Sequence, residues 1–593
     1  MLISPTRQSS VHRFEHSRMC LVLLCLWLST FVAILRLLNG GSQMQGFLPP
    51  LPKPIRRIQT NSSPTISIFD MGISHKDMGI SLDEWGSLQK ALDWPSPDQE
   101  ITQLNLSTSP VHSTFSIVGL NETYKVGEKI HVTITARDHN NNLKAYGGDF
   151  FQAKLFNSKL KASVFGEVVD HRNGTYSVDL LLPWEGQARV SVRLVHSSEV
   201  VYILKKYRES SFPRSHYKGY FEGPGPKGVR ISEVVECNLK WGPNGSWIKG
   251  NCCCEYKDLK TGTVWQCERP KTLSCDNWVY HASGPMENPQ NPFENKLFAK
   301  KLTNIELTGD MQIINVLPNT TDIGSKERCR SGLTTPVPAG FYLHDVWKSF
   351  VCNTKSFSPP EMGNCLKSKT VYLMGDSTER QWFEYLEQKL PGLKRLDLHT
   401  SRIGGPLMAV ELQNNIIVHW RFHGVPLKFS KLPIADLHYI SNDIDEIAGG
   451  RHAVIVFTIF AHRVLHPLTF YVHEVAKIRQ SVVALLSRAP DTTVIIKSGN
   501  TAGLKSLAAF IPCTPIRLIG DRACVVPAQP CPSPGVASGM TYTPPSPVGG
   551  STWEETGGEK TKKQNKICEG NAHIHFNASL KNRLYVYSTL IPA

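Results

Sequence analysis

Several common signatures are missing from this chain of 593 residues. It has no nucleic-acid-binding motif and no repeat that alternates aromatic with basic residues, although its formal net charge is +15. A charge of this sign would suit an acidic partner, for example nucleic acid, an anionic glycan or lipid headgroups. Because no recognition motif accompanies the basic residues, we interpret them as a scattered basic surface and expect no nucleic-acid partner.

The chain also lacks any CxxC pair, the spacing typical of a zinc site. Most of its 15 cysteines are clustered instead, with Cys252, Cys253 and Cys254 adjacent and Cys267 and Cys275 following. Three adjacent thiolates cannot easily converge on one tetrahedral metal. We therefore predict a disulfide framework and no metal, with zinc as the alternative. A disulfide framework in turn indicates an oxidising compartment.

An uncharged apolar stretch, Met19–Leu35, lies near the N-terminus and follows three arginines. Its length is at the lower limit for crossing a bilayer, and the positive charge is on the side that stays cytoplasmic. We predict a basic cytoplasmic segment at 1–18 and, at 19–38, a signal anchor or a cleavable signal peptide. The protein would belong to the secretory pathway, as a type II single-pass protein of the Golgi or endoplasmic reticulum membrane or, after cleavage, as a secreted protein.

Glycosylation sequons support a luminal location for the rest of the chain. The pattern Asn-x-Ser/Thr marks acceptor sites for N-linked glycans in secretory proteins. It occurs at Asn61, Asn105, Asn121, Asn173, Asn244, Asn319 and Asn577. We predict that these asparagines are glycosylated.

Composition and periodicity divide the remaining chain into units. Alternating runs such as Lys129–Ala136, separated by turn-forming residues, predict an antiparallel β-sandwich of immunoglobulin type. Farther on, strands alternate with helices, which is typical of a largely parallel α/β sheet. The predicted units are a Pro-, Ser- and Gln-rich stalk at 39–110, the sandwich at 111–205, a cysteine-rich segment at 206–330, the α/β domain at 331–501 and a low-complexity, disordered tail at 502–593.

The stretch Lys369–Leu390, KTVYLMGDSTERQWFEYLEQKL, carries the main chemical signal. Its apolar residues predict a buried strand up to Met374 and a helix from Thr378. Ser377 would then lie at the start of the helix, where free backbone N–H groups favour a developing oxyanion. A nucleophilic serine requires such a position. The alternative is that Asp376 and Ser377 only cap an ordinary helix.

Several motifs in a fixed order resemble the neurexophilin and PC-esterase domain (NXPE) family over roughly residues 110–500. They are KVGEKIHVTITARD, YGGDFF and NGTYSV in the predicted sandwich, WQCERPKTLSC in the cysteine-rich segment and VYLMGDSTERQWFEYL at the serine turn. The resemblance implies an immunoglobulin- or filamin-like sandwich followed by an α/β PC-esterase domain, a branch of the GDSL/SGNH hydrolases. Related proteins are acyl esterases or O-acetyltransferases that act on cell-wall or sialylated glycans.

By this resemblance, Ser377 would be the nucleophile and Asp376 part of its turn motif, while Gly424 or Gly404 would supply an oxyanion-binding N–H. The implied partner is a glycan or glycoprotein acceptor. No cofactor is implied other than an acyl donor such as acetyl-CoA. In the alternative, non-enzymatic function, the neurexophilin-like sandwich would bind a cell-surface protein.

The family's catalytic base is missing at its usual place. In the resembling fold a histidine follows an aspartate in a DxxH motif near the C-terminus, and no DxxH follows Ser377 here. The third sequence block typical of the family contains a glycine and a histidine. At the matching place this chain has Thr458-Ile459-Phe460-Ala461-His462, in which the histidine is present and the glycine is not. A serine hydroxyl needs a positioned base. We therefore expect a weak or inactive esterase or acyltransferase, with the last helix and strand replaced by the tail and the role of His462 open.

Overall fold

The structure, a computed structural model, describes residues 79–86, most of 94–497 and the strand at 583–587. The gaps within 94–497 are 96, 98–99, 211–214, 242–251, 288, 320–322, 325–326, 330–332, 334–335, 355–356, 425–430, 460–461 and 464–465. The predicted cytoplasmic segment, the signal anchor and most of the tail lie outside the described residues. In the described part, no helix is long and apolar enough to cross a membrane.

The described residues form mostly β structure, arranged in several sheets. The first eighteen strands are β1 (Thr114–Val118), β2 (Tyr124–Lys125), β3 (Lys129–Thr135), β4 (Phe150–Asn157), β5 (Ala162–Gly166), β6 (Val168–Asp170), β7 (Thr175–Leu181), β8 (Gly186–His196), β9 (Ser215–Pro224), β10 (Arg230–Lys240), β11 (Cys252–Lys257), β12 (Val264–Glu268), β13 (Trp278–Met286), β14 (Ile305–Glu306), β15 (Thr308–Gly309), β16 (Ile314–Leu317), β17 (Gly340–Leu343) and β18 (Val346–Ser349). The later strands are β19 (Thr370–Gly375), β20 (Lys394–Arg395), β21 (Leu407–Glu411), β22 (Ile416–Phe422), β23 (Leu432–Pro433), β24 (Ala453–Phe457), β25 (Thr493–Lys497) and β26 (Arg583–Tyr587). The helices are α1 (Ser198–Ser210), α2 (Pro292–Leu297), α3 (Pro359–Leu366), α4 (Ser377–Lys389), α5 (Ile440–Glu446) and α6 (Leu468–Arg488).

Two sheets near the start of the described chain enclose one hydrophobic core. One sheet has the strand order β15-β1-β3-β7-β6, and the other has β18-β17-β5-β4-β8-β16-β2 with β14 beside β8. Along β3 the side chains of Ile130, Val132 and Ile134 are buried, and their neighbours in the strand are more exposed. This alternation arises because successive side chains of a strand point to opposite faces. The structure therefore contains the two-sheet unit that the sequence pattern indicates.

The sandwich extends beyond the predicted range of 111–205. Strands β14 to β18 follow much later in the chain, yet they pair with β1, β2, β5, β8 and each other. The sequence analysis assigned these strands to the cysteine-rich segment and to the α/β domain. Strands of two to four residues show too little period-two alternation to be detected.

The cysteine-rich segment is a sheet of order β11-β12-β10-β9-β13-β23. The predicted disulfides are confirmed: they join Cys237 to Cys267, Cys252 to Cys253, Cys254 to Cys275 and Cys329 to Cys352. All five cysteines considered for zinc are therefore in disulfides, Cys267 with Cys237 and the other four with each other. Strand β23 and helix α6 come from the α/β region, and Phe470 of α6 shares a core with Tyr217 and Trp265 of the cysteine-rich sheet. The two regions are thus packed together.

A sheet of order β20-β21-β22-β19-β24-β25-β26 forms the α/β unit. Strands β22, β19, β24, β25 and β26 are parallel, and β20 and β21 complete the sheet as antiparallel neighbours. Val371 and Leu373 of β19 pack in one core with helices α3 and α4. Met374 packs in another core with α5 and α6. Helices therefore cover both faces, and β19 lies at the centre.

Two predictions at the ends of the chain need correction. Part of the predicted stalk is packed on the α/β unit, because Ile80 and Trp85 are buried against α6 and Glu84 pairs with Arg479 at 2.6 Å. Isolated apolar residues in a polar stretch carry no periodic signal. The tail is not wholly outside the fold either. Residues 583–587 form β26, parallel to β25, so this part of the tail belongs to the sheet.

Candidate active site

The strand–turn–helix predicted around Ser377 is present. Strand β19 ends at Gly375, Asp376 caps the helix and α4 begins at Ser377. The turn leaves no room for a side chain at Gly375, because an added Cβ would lie 2.6 Å from Thr458 Cγ2 and 2.8 Å from Glu379 Cγ. Glycine is therefore required for the close approach of β19, α4 and the end of β24.

Ser377 is exposed to solvent, whereas Gly375 and Asp376 on its N-terminal side are buried. Within the described residues, neither Oγ nor the backbone N–H of Ser377 takes part in a hydrogen bond. The Asp376 carboxylate instead accepts from the Thr378 N–H at 2.8 Å and from the Thr378 hydroxyl at 2.7 Å. The helix cap is thus made by Asp376 and Thr378, and it leaves the Ser377 hydroxyl and N–H available to a ligand.

Two histidines lie beyond the strands that flank β19. His423 directly follows β22, and its N–H donates to Gly375 O at 3.2 Å. His462 lies a few residues beyond β24, and its Nδ1 is 2.7 Å from His423 Nε2. Both imidazoles are therefore at the carboxyl edge of the sheet, the edge at which Ser377 is exposed. Among the described residues no nitrogen makes a hydrogen bond to Ser377 Oγ.

The two glycines predicted as oxyanion donors differ in position and in availability. Gly424 follows His423 at the end of β22, and its N–H makes no hydrogen bond within the described part of the chain. Its backbone approaches that of His438 so closely that an added Cβ would lie 2.2 Å from His438 O. Gly404 is in the loop before β21, and its N–H donates to Ser401 Oγ at 3.4 Å. Gly424 is therefore the better placed donor of the two.

A group of buried charged residues lies beneath the serine turn. Asp376, Glu379 and Lys497 are 3%, 0% and 3% exposed, respectively. Lys497, the last residue of β25, donates from Nζ to Thr378 Oγ1 at 3.1 Å. Burial raises the pKa of Glu379 to about 8, a rise that the nearby Lys497 charge partly opposes. Burial also lowers the pKa of Lys497.

The sequence analysis did not identify His423, Glu379 or Lys497 as part of this region. A signal for Glu379 was available, because it precedes Phe383 by four residues and Leu386 by seven and so lies on the buried face of α4. His423 and Lys497 carry no motif, and only the parallel register brings them to the same edge as Ser377.

The remaining predicted sites are distributed over the surface. Asn105, Asn121, Asn173 and Asn319 are exposed, as glycan attachment requires, while Asn61, Asn244 and Asn577 lie outside the described residues. In the portion of the chain that the structure describes, no group of three or more His, Cys, Asp or Glu side chains could hold a metal ion.

Two family models match this sequence. One is described as the C-terminal domain of NXPE family member 4-like proteins and matches residues 347–511. The other is described as neurexophilin and matches residues 95–286. This chain belongs to the NXPE/neurexophilin family. The NXPE C-terminal match spans β19, the serine turn and β25, and the neurexophilin match spans much of the sandwich and most of the cysteine-rich sheet.

Solved structures similar to this NXPE/neurexophilin protein include three bacterial proteins. FdeC, an Escherichia coli adhesin, is 16% identical over 35% of this chain and 65% of its own, with a TM-score of 0.12. Invasin, a bacterial integrin-binding protein, is 16% identical over 37% of this chain and 43% of its own, with a TM-score of 0.12. InvE, a Yersinia pseudotuberculosis adhesin, is 13% identical over 53% of this chain and 94% of its own, with a TM-score of 0.12. This chain therefore spans less than two thirds of FdeC and of invasin.

Proposed function

We propose that this protein is a PC-esterase-like member of the NXPE family in which Ser377 accepts an acyl group and passes it to a glycan hydroxyl or to water. The observation that carries the proposal is the position of Ser377. Its hydroxyl is exposed at the carboxyl end of the central parallel strand, and the local hydrogen bonds are made by its neighbours Asp376 and Thr378. Ligand sites in sheets of this kind lie at that edge.

Two backbone N–H groups support acyl transfer. The N–H groups of Ser377 and Gly424 both lack an acceptor in the described residues. Gly375 of β19 is aligned with Phe422 of β22, and Ser377 and Gly424 each follow two residues after these partners. Adjacent strands lie about 4.8 Å apart. N–H groups held in this way can stabilise the negative charge that develops on a carbonyl oxygen during acyl transfer, at little cost in reorganisation.

The proton of Ser377 needs an acceptor, and the His423–His462 pair is the candidate. One imidazole nitrogen at 2.7 Å from another must receive a hydrogen bond while the other donates it. The bond therefore couples the tautomers of the two rings and restrains their orientation. A substrate or a small movement of the turn would have to bring a ring nitrogen to Ser377 Oγ, as catalytic hydrogen bonds often tighten only in the complex.

A fluorophosphonate probe tests this function directly, because it reacts with activated serines. We expect labelling of the wild-type protein at Ser377 and its loss in Ser377→Ala. The matched control is Ser487→Ala, which removes an exposed hydroxyl near the end of α6 and should leave labelling unchanged. Equal labelling of wild type and Ser377→Ala would exclude Ser377 as the acyl acceptor.

The substrate and location follow from the family resemblance. We propose a glycan or glycoprotein acceptor, an acyl donor such as acetyl-CoA, and a place in the secretory pathway, either at the Golgi or endoplasmic reticulum membrane or as a secreted protein. The disulfides support an oxidising compartment. The measurement is release or transfer of acetyl from an O-acetylated sugar, compared between wild type and Ser377→Ala.

A second candidate is a non-enzymatic binding protein that uses its neurexophilin-like, immunoglobulin- or filamin-like sandwich to hold a cell-surface protein. The favouring observation is that no nitrogen of the described residues makes a hydrogen bond to Ser377 Oγ. In that case the full-length protein and Ser377→Ala would bind cells with equal affinity, and neither would react with the probe.

A further inference from the structure

A chain of hydrogen bonds runs beneath Ser377 from Lys497, at the end of strand β25. Lys497 Nζ donates to Thr378 Oγ1 at 3.1 Å, and that hydroxyl donates to Asp376 Oδ1 at 2.7 Å. The Thr378 N–H donates to the same carboxylate oxygen. A threonine hydroxyl has one hydrogen, so it can donate to Asp376 only if Lys497 is the donor to it. The directions of all three bonds are therefore fixed.

These bonds hold the residues on both sides of Ser377. Asp376 precedes it and Thr378 follows it, so the peptide groups of Ser377 are tied at each end to Lys497 of β25. Strand β24 lies between β25 and β19, so the lysine side chain reaches across a neighbouring strand. Lys497 itself pairs through its backbone with Tyr587 of β26, which connects its position to the C-terminal strand.

Glu379 adds a second, independent observation. Its carboxylate is fully buried, and both oxygens lack a hydrogen-bond partner in the described residues. Its Cγ would contact a Cβ at Gly375, so it packs directly under the turn. The charged groups that act on it are Lys497 and Asp376. An unpartnered buried carboxyl group is costly for folding, and this one lies directly against the turn.

We infer that Lys497 is a positioning residue for the nucleophile turn, acting on Ser377 through Thr378 and Asp376, with Glu379 as the second acid of the same buried layer. The inference rests on the proposed function for its effect on reactivity, although the hydrogen bonds would order the turn in any case. Groups that must be held within a fraction of an ångström of their reacting geometry depend on such supporting contacts.

The test uses the full-length protein with Thr378→Val, Thr378→Ser and Lys497→Met. Valine keeps the shape of threonine and removes the hydroxyl, whereas serine keeps the hydroxyl. Hydrogen exchange of the peptide that covers the turn is measured together with the rate of fluorophosphonate labelling. The matched control is Thr492→Val, which removes another buried, hydrogen-bonded threonine hydroxyl next to β25.

We expect Thr378→Val and Lys497→Met to increase exchange at the turn by about tenfold and to lower the labelling rate by about tenfold or more. Thr378→Ser and Thr492→Val should behave like wild type at the turn. If wild type is not labelled, the proposed function fails, and the exchange data still decide the inference. Unchanged exchange at the turn in both Thr378→Val and Lys497→Met would overturn it, and because Thr378→Val is nearly isosteric, this holds even if Lys497→Met does not fold.

Discussion

His423 Nε2 and His462 Nδ1 are 2.7 Å apart at the carboxyl edge of the parallel sheet, one beyond each strand that flanks β19. His423 is 2% exposed and is bound through its backbone to Gly375 O. The pair therefore joins the ends of β22 and β24 across the strand that carries the serine turn. It provides an imidazole at this edge even though the DxxH motif is missing.

The first prediction concerns this pair. His462→Gln and His423→Gln should each lower the rate of fluorophosphonate labelling at Ser377 by about 10²-fold, the lower end of what a general base contributes. The control is His399→Gln, since the His399 side chain is 90% exposed and pairs with the nearby Asp397. Labelling that is insensitive to both substitutions would show that neither imidazole activates the serine.

The second prediction concerns the turn glycine. Gly375→Ala should destabilise the protein by about 1–3 kcal/mol, because the new Cβ would overlap Thr458 and Glu379 and the well-packed core cannot easily move. Gly404→Ala is the control, since its Cβ would meet nothing closer than Ser401 Cβ at 3.7 Å, and its effect should stay within about 0.5 kcal/mol. The measurement is the urea midpoint at constant m-value. Equal effects of the two substitutions would mean that the turn can relax around a side chain.

The α/β unit could be predicted from the sequence because its signals are local. The strand up to Met374 and the helix after Ser377 each have a regular apolar pattern, and the structure confirms both. Such elements are detected when the pattern of one short segment determines its conformation.

The rest depends on contacts between distant segments. Strands β14 to β18 join the sandwich although they follow it by a hundred residues or more, and short strands are stabilised by their neighbours alone. The cysteine-rich sheet packs on α6 through single contacts, such as Trp241 Nε1 to Thr469 Oγ1 at 3.0 Å and Tyr217 Oη to His466 Nε2 at 3.1 Å. No feature of either segment alone indicates these partners.

The third prediction concerns pH. Because burial raises the pKa of Glu379 from 4.5 to about 8, the folded state binds a proton between these values that the unfolded state has released. Stability should therefore fall as the pH rises from about 4.5 to about 8. Glu379→Gln keeps the shape and removes the titration, so its Tm should exceed that of wild type by an amount that grows from pH 5 to pH 8.

At pH 8 the Tm of Glu379→Gln should exceed that of wild type by several degrees, since one kcal/mol corresponds to about 2–4 °C for a domain of this size. Glu384→Gln is the control, a partly exposed carboxylate on the same helix, and its Tm difference from wild type should not grow in this way. A constant difference for Glu379→Gln from pH 5 to pH 8 would contradict a raised pKa for this carboxyl group.

The fourth prediction concerns the buried network between the sandwich and α1. Glu199 is 2% exposed and accepts hydrogen bonds from Lys144 Nζ at 2.7 Å and from the Tyr146 hydroxyl at 2.7 Å. The Thr108 N–H also donates to this carboxylate. Glu199→Gln would leave the Lys144 ammonium buried without its counter-charge, so we expect a loss of about 3–5 kcal/mol in the free energy of unfolding.

Asp179→Asn is the matched control for this network. Asp179 also pairs with a lysine, Lys129, but at 4.0 Å and with both side chains more than half exposed. Asp179→Asn should therefore lower the free energy of unfolding by less than about 1 kcal/mol. Urea unfolding, monitored by the fluorescence of buried Trp184 and the other tryptophans, would measure the change in the free energy of unfolding for both substitutions. If the two substitutions cost the same, Lys144 must find a new partner or water when Glu199 is neutral, and the network would then not stabilise the sandwich through its charge.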